Sequence, residues 1–158
     1  ADLVAERSQQ MAIATGAAAS YTDYHELLMR PDIDLVSICT PPFTHASVAI
    51  AALQAGKHVI CEKPMAASLE ECDLMTANAA ETGKLLSIAF QNRFSPDIWR
   101  ARGLIEAGLL GRLVFGKAET LWYRGPNYYD VSWRGSWGQN VVVLLTTRGF
   151  TTSTPFSG

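Results

Sequence analysis

Residues 55–64 read Ala-Gly-Lys-His-Val-Ile-Cys-Glu-Lys-Pro. The run His58 to Cys61 is short and mostly apolar, and it stands between Gly56 and the polar pair Glu62-Lys63. A run of this length and composition predicts a buried strand of a parallel sheet. Gly56 predicts the end of a preceding helix, because glycine readily adopts the left-handed conformation found just after helices.

Similar signals lie on both sides of this segment. An apolar run over Leu35 to Cys39 predicts a strand covered on both faces, and Ala46 to Ala55 predicts the helix that links it to the strand at 58–61. Further on, Ser68 and Glu71 fit a capping box at the start of a helix that ends at Gly83, and 85–90 predicts a third strand. Two helices are predicted before these elements, at 3–15 and 24–29.

The pattern changes after residue 93. Ser95 and Pro96 predict a helix start and Gly108 its end, whereas Arg112 to Tyr123 alternates polar and apolar residues like an antiparallel strand. The expected fold class is therefore α/β, a doubly wound parallel sheet followed by the start of an α+β domain with an antiparallel sheet. The predicted divisions are 1–93, 94–137 and a tail at 138–158.

Composition narrows the classes of function. The chain has 158 residues, 48% hydrophobic residues and a formal net charge of -2, which fits one ordinary core and argues against nucleic acid as a partner. No apolar run approaches the roughly 20 residues that cross a bilayer, so no membrane span is expected. The three cysteines have no metal-ligand spacing and are interpreted as reduced thiols of a cytoplasmic protein, a reactive or metal-bound role being the alternative.

Polar or rigid residues follow each of the three predicted strands. Because ligands bind at the carboxyl ends of open parallel sheets, these residues are candidates for a binding site. They are Thr40-Pro41-Pro42 with His45, then Glu62-Lys63-Pro64, then Gln91-Asn92-Arg93. Lys63 stands out because Pro64 favours extended geometry in the residue before it, and a lysine held at such an edge can donate hydrogen bonds to a hydroxyl and exchange a proton.

Each candidate also has a structural interpretation. Lys63 could be a surface lysine paired with Glu62, and the two prolines could form an ordinary turn rather than a flat wall against an aromatic ring. His45 could be a polar residue in the first turn of a helix. Arg93 could bind phosphate or carboxylate, or pair with Asp97.

Four segments together resemble the family that contains glucose-fructose oxidoreductase and inositol dehydrogenase. They are CTPPFTH (39–45), AGKHVICEKP (55–64), AFQNRFSP (89–96) and WYRGPNYYDVSWRGSW (122–137). The resemblance implies a Rossmann domain for NAD or NADP, here incomplete, and a second, mostly antiparallel domain that forms the substrate pocket and the interface of a homo-oligomer. It also implies hydride transfer between the nicotinamide and a hydroxyl of a sugar or polyol.

The resemblance also implies roles for individual residues. Thr40, Pro41 and Pro42 would lie near the nicotinamide or its ribose, and Glu62 and Lys63 would contact cofactor and substrate, with Lys63 as the catalytic lysine. Asp2 falls where a carboxylate holds the adenosine ribose, which favours NAD over NADP, although Arg7 weakens this preference. The remaining residues of the implied cofactor site are His45, Gln91 and Arg93, and no metal site is expected.

Two departures from the family qualify these expectations. The glycine-rich turn G-x-G-x-x-G is not found in the 158 residues, and we expect the chain to begin inside a longer sequence. After Trp137 the resemblance stops. With suitable codons, TTRGFTTSTPFSG read one nucleotide earlier yields Asn-Gln-Gly-Ile-His, so 138–158 is expected to be an out-of-frame tail that lacks the histidine base. The alternative function is therefore an inactive product that at most binds a sugar or nucleotide or forms an oligomer interface, with weak or no cofactor binding.

Overall fold

The computed structural model describes residues 1–117, 119, 121, 123–131 and 134. The chain divides into two units, Ala1–Ile88 and Ala89–Gly158. The tail predicted at 138–158 lies outside the described residues, so its interpretation stays a prediction.

The first unit alternates helices and strands. Its elements are α1 (Ala5–Thr15), α2 (Tyr24–Leu28), β1 (Leu35–Ile38), α3 (His45–Gln54), β2 (His58–Cys61), α4 (Leu69–Thr82) and β3 (Leu86–Ile88). The strands form one parallel sheet in the order β1-β2-β3. The three predicted strands and the helices between them are confirmed, with β1 one residue shorter and β3 three residues shorter than predicted.

The core lies on one face of this sheet. Helix α3 packs against β1, β2 and α4, and its Ala49, Ala52 and Leu53 are fully buried. Val59 and Cys61 from β2 face the same core, as does Met75 from α4. Full burial of one large apolar side chain contributes about 1.5–3 kcal/mol, so this single layer of contacts is the main source of stability for the unit.

The other face of the sheet is open in the part of the chain that the structure describes. Leu35 is 51% exposed and Ile60 is 39% exposed, and Ser37 and Ser87 are exposed beside them. The prediction that β1 is covered on both faces is therefore wrong for the described residues. An apolar run shows that a strand can be buried on both sides, but burial itself requires helices on both sides, and α3 and α4 supply one layer.

Helix α4 begins and ends as its sequence predicts. The Ser68 hydroxyl accepts a hydrogen bond from the Glu71 amide at 3.2 Å, and a Glu71 carboxylate oxygen accepts one from the Ala67 amide at 2.9 Å. The glutamate thus reaches one residue further back than the Ser68 amide of a standard capping box. Gly83 closes the helix in the left-handed conformation, with φ 65°.

Replacing Ser68 by alanine is expected to lower the free energy of unfolding by about 1 kcal/mol, because the cap of α4 is lost. Urea unfolding followed by circular dichroism measures the change. Ser87→Ala on the open face of the sheet is the control and should change stability by less than about 0.5 kcal/mol. Equal losses in the two variants would show that the cap does not stabilise the helix.

The second unit is described in part. A 3-10 turn at Gln91–Phe94 leads into α5 (Pro96–Glu106), and a second 3-10 turn spans Pro126–Tyr129. Pro96 stands at the start of α5, as predicted. The strand predicted over Arg112 to Tyr123 is wrong for the described residues of that stretch, 112–117, 119, 121 and 123, which form no strand. Alternation makes a segment suitable for a sheet, but a strand needs a hydrogen-bonded neighbour. The antiparallel domain stays a prediction.

The three cysteines differ in environment. Burial raises the pKa of the Cys61 thiol to about 12 and also raises that of Cys72, whereas Cys39 is exposed at the end of β1. We expect a thiol reagent at about pH 8 to modify Cys39 first and Cys61 only after unfolding, because the thiolate is the reactive form. The rate of thiol modification of the native protein measures this order. A fast phase that persists in a Cys39→Ser variant would contradict the assignment.

Candidate functional site

The carboxyl ends of β1 and β2 are level with each other. Their register pairs Ile38 with Cys61, and the Glu62 amide continues the ladder by donating to the Ile38 carbonyl at 2.9 Å. The chain segments that follow, Thr40–Pro42 and Glu62–Pro64, therefore leave the sheet at one edge, and we call them together the strand-end site. The sequence prediction that these two segments meet is confirmed by the register.

The Thr40–Pro42 segment is held by a neighbouring threonine. The Thr44 hydroxyl lies 2.7 Å from the Thr40 hydroxyl and 2.8 Å from the Pro41 carbonyl oxygen, and the Thr44 amide donates to the same carbonyl at 2.9 Å. Pro42 is buried and begins a 3-10 turn that runs to Thr44. Thr40 stays exposed, so its hydroxyl is fixed in place and accessible from solvent.

Thr44 is a site residue that the sequence reasoning missed. Helical spacing does not signal the contact, because Pro41 is extended and the 3-10 turn begins only at Pro42. It stiffens the loop through side-chain and backbone bonds together. It thereby adds to the stiffness that the two prolines give the loop.

The two lysines of the segment 55–64 have opposite environments. Lys57 is buried, 7% exposed, and its ammonium donates to the Arg30 carbonyl at 2.7 Å. Lys63 is exposed, and its backbone amide donates to a Glu62 carboxylate oxygen at 3.2 Å. Among the described residues, the Lys63 ammonium has no hydrogen bond or ion pair, so the alternative of a lysine paired with Glu62 is not what the structure shows. Its charge is available to a ligand.

His45 lies beneath the site rather than on its surface. It is 1% exposed, and its ring nitrogens lie at 2.8 Å from two carbonyl oxygens, Nδ1 from that of Pro64 and Nε2 from that of Thr40. Because both nitrogens are used within the protein, none is left for a ligand. The expected contact of the His45 side chain with the cofactor is therefore not supported, and neither is the capping role.

The other predicted cofactor residues are placed as follows. Asp2 is half-buried, and one of its carboxylate oxygens accepts the Val4 amide at 2.8 Å just before α1. Gln91 and Arg93 are exposed in the 3-10 turn of the second unit, with the Arg93 guanidinium 5.6 Å from the centre of the Phe90 ring. No ion pair joins Arg93 to Asp97 among the described residues. The cofactor contacts of Asp2, Gln91 and Arg93 stay predictions.

An ion pair with two hydrogen bonds lies in the first unit outside this site. Arg30 donates to both carboxylate oxygens of Asp32 at 2.8 and 2.5 Å, which lowers the pKa of that carboxyl to about 2. The pair precedes β1, at the amino end of the sheet. The charged side chains of the strand-end site are therefore one cation, Lys63, and one half-buried carboxylate, Glu62.

The donor set of the strand-end site fits one half of a nicotinamide dinucleotide. An exposed hydroxyl, an exposed ammonium and a proline-stiffened backbone suit a ribose and a flat, uncharged ring. For the pyrophosphate, the 158 residues contain no G-x-G-x-x-G turn. In the described part of the chain, no group of three or more His, Cys, Asp or Glu side chains could hold a metal ion, and no helix has the length and apolar character to cross a membrane.

Comparisons with known proteins show which family the chain resembles. A sequence profile of the Gfo/Idh/MocA oxidoreductase family, with an NAD-binding Rossmann fold, matches residues 1–90. Levoglucosan dehydrogenase of Pseudarthrobacter phenanthrenivorans is 36% identical over 135 residues, which cover 84% of this chain and 33% of that enzyme. The 1-carboxy-3-chloro-3,4-dihydroxycyclo hexa-1,5-diene dehydrogenase of Comamonas testosteroni is 46% identical over 118 residues, 75% of this chain and 28% of that enzyme.

A solved structure of a dehydrogenase also matches this chain. The WlbA dehydrogenase from Bordetella pertussis, in complex with NADH and UDP-GlcNAcA, matches 87% of this chain and 40% of its own at a TM-score of 0.79 and 32% identity. The chain thus spans about a third of the length of the curated relatives it matches. The chain belongs to the Gfo/Idh/MocA family of oxidoreductases, whose nucleotide-binding domain is an NAD-binding Rossmann fold.

Proposed function

We propose that this chain forms the nicotinamide side of the active site in a dehydrogenase that moves a hydride between a sugar or polyol hydroxyl and NAD. The observation that carries the proposal is the environment of Lys63, whose exposed ammonium has no partner among the described residues and stands after β2, level with the end of β1. A lysine so placed, on the segment next to that of the Thr40 hydroxyl, is available to a ligand rather than needed for stability.

Each residue of the site has a role in this proposal. A bound nicotinamide supplies the hydride chemistry. Lys63 donates hydrogen bonds to the ribose or to the substrate oxygen. In the direction of oxidation its neutral amine takes the hydroxyl proton at Nζ, and in the direction of reduction its ammonium returns that proton to the oxygen. Thr40 and Pro41 support the face of the nicotinamide, and Glu62 accepts hydrogen bonds from hydroxyl groups. The NAD preference expected from Asp2, a homo-oligomer and a cytoplasmic location belong to the proposal, the last supported by three free cysteines.

The substrate class is supported by the relatives. One of them is named for levoglucosan and another for a dihydroxylated ring, and the solved relative holds NADH with a nucleotide sugar. The feature these molecules share is a ring that bears hydroxyl groups. Lys63 and Glu62 provide a donor and an acceptor side by side, which is the complement of a hydroxyl.

A chimera tests the proposal. The matched segment of this chain replaces its counterpart in levoglucosan dehydrogenase of P. phenanthrenivorans, which keeps the remaining two thirds of that enzyme. We expect the chimera to form NADH from NAD and levoglucosan, as followed by absorbance. Circular dichroism and NADH fluorescence establish that it is folded and binds cofactor. A folded chimera that binds NADH without any turnover would contradict the proposal.

A second candidate is a non-catalytic protein that binds a sugar or nucleotide. This candidate concerns only the 158-residue polypeptide taken by itself, which contains no G-x-G-x-x-G turn to hold the pyrophosphate. For this polypeptide alone we expect little or no change in NADH fluorescence at micromolar protein. A clear saturable change would show that the strand-end site binds the dinucleotide without that turn.

A further inference from the structure

We propose that His45 is a positioning residue that holds the two halves of the strand-end site in fixed relation to each other. The inference rests on the proposed function, because it assigns His45 a role through Thr40 and Lys63. It replaces the direct cofactor contact expected from the sequence.

The geometry is a bridge through one buried ring. His45 is the first residue of α3, and 19 residues separate it in sequence from Pro64, whose carbonyl lies against its Nδ1. Its Nε2 lies against the carbonyl of Thr40 on the other segment. One carbonyl belongs to Thr40, whose hydroxyl is proposed to face the ligand. The other belongs to Pro64, the residue after Lys63, whose ammonium is proposed to face the ligand. The ring donates to one carbonyl in its neutral form and to both when each nitrogen carries a proton, so a shift of either segment moves it against the same rigid ring.

Burial makes the bridge specific. The His45 residue is 1% exposed, so a ring nitrogen that loses its carbonyl partner has no water to replace it, and each contact is costly to break. Carbonyl oxygens only accept, and each ring nitrogen donates where it carries a proton. The ring links the segments without occupying any of the surface that a ligand would use.

Two substitutions separate the contacts. The amide nitrogen of asparagine lies near the position of a histidine Nδ1, and that of glutamine lies near Nε2. His45→Asn therefore keeps a donor for the Pro64 carbonyl, whereas His45→Gln keeps one for the Thr40 carbonyl. His45→Leu keeps the volume and removes both donors.

The first measurement is a backbone amide NMR spectrum of the 158-residue protein in each form. We expect His45→Gln to shift the Lys63 and Met65 amides and His45→Asn to shift those of Thr40 and Thr44, with both pairs shifted in His45→Leu. His58→Leu is the matched control, because His58 accepts the Leu85 amide at 3.0 Å at the amino end of the sheet. It should lower stability without moving either pair of amides. The same shifts in the asparagine and glutamine variants, or unmoved Lys63 amides in the leucine variant, would overturn the bridge.

The second measurement is made on the chimera. His45→Gln should lower kcat by at least about tenfold, because it frees the segment that carries Lys63, while His45→Asn should mainly raise the KM for NAD. The same fall in kcat and the same rise in KM in both variants would mean that His45 only stabilises the fold. If the chimera has no turnover while the amide shifts follow the expected pattern, the proposed function fails and the bridge stands.

Discussion

Replacing Lys63 by alanine in the chimera is expected to lower kcat about 10²–10⁴-fold, the usual contribution of a positioned group that moves a proton. The fold should be unaffected, because the Lys63 side chain is exposed and its ammonium has no partner among the described residues. Steady-state rates of NADH formation measure the loss, and circular dichroism measures the fold.

Lys84→Ala is the matched control for this experiment. Lys84 directly follows Gly83, the residue that ends α4, and stands before β3, so it lies at the amino end of the sheet. Its removal should leave kcat within about twofold of the parent, as is usual for surface positions away from a site. Equal rates in the Lys63 and Lys84 variants would remove Lys63 from the mechanism.

Replacing Met75 by alanine is expected to lower the free energy of unfolding by about 3 kcal/mol. Met75 is fully buried in α4, and its loss leaves a cavity in a core that has one helical layer over the sheet. Leu74, the preceding residue of the same helix, is 55% exposed, so Leu74→Ala should cost less than about 0.5 kcal/mol.

Urea unfolding of the 158-residue protein, followed by circular dichroism, measures the free energy of unfolding of both variants. The two substitutions are at neighbouring positions of one helix and change its helix propensity by similar amounts. The midpoint should move for Met75→Ala and stay for Leu74→Ala. Similar midpoints for the two variants would mean that α4 does not pack as described.

The strands and helix ends were predictable because their causes are local. The run at 58–61 agrees residue for residue with β2, and Gly83 ends α4 where its sequence predicts. A glycine or a hydroxyl at a helix end acts on its own backbone neighbours, and a short apolar run predicts the strand itself, although not how many of its faces are covered. The family resemblance, carried by the same segments, is confirmed by the profile match.

The predictions that failed concern structure that depends on residues far away in the sequence. The alternation at 112–123 could not show whether a neighbouring strand was present to pair with it. For His45, the sequence showed a histidine near a helix start, but its partner at Pro64 is brought to it by the fold. The same limit applies to Lys57, since the sequence does not show that the fold brings the Arg30 carbonyl to its ammonium.

The level ends of β1 and β2 also bear on how the site forms. The strands, the helix between them and both segments of the strand-end site lie within residues 35–64, a single strand-helix-strand unit. Contacts between residues close in sequence lose less chain entropy on closure and form faster than contacts across a whole domain. The two segments of the strand-end site are thus expected to assemble early in folding, from one short stretch of chain.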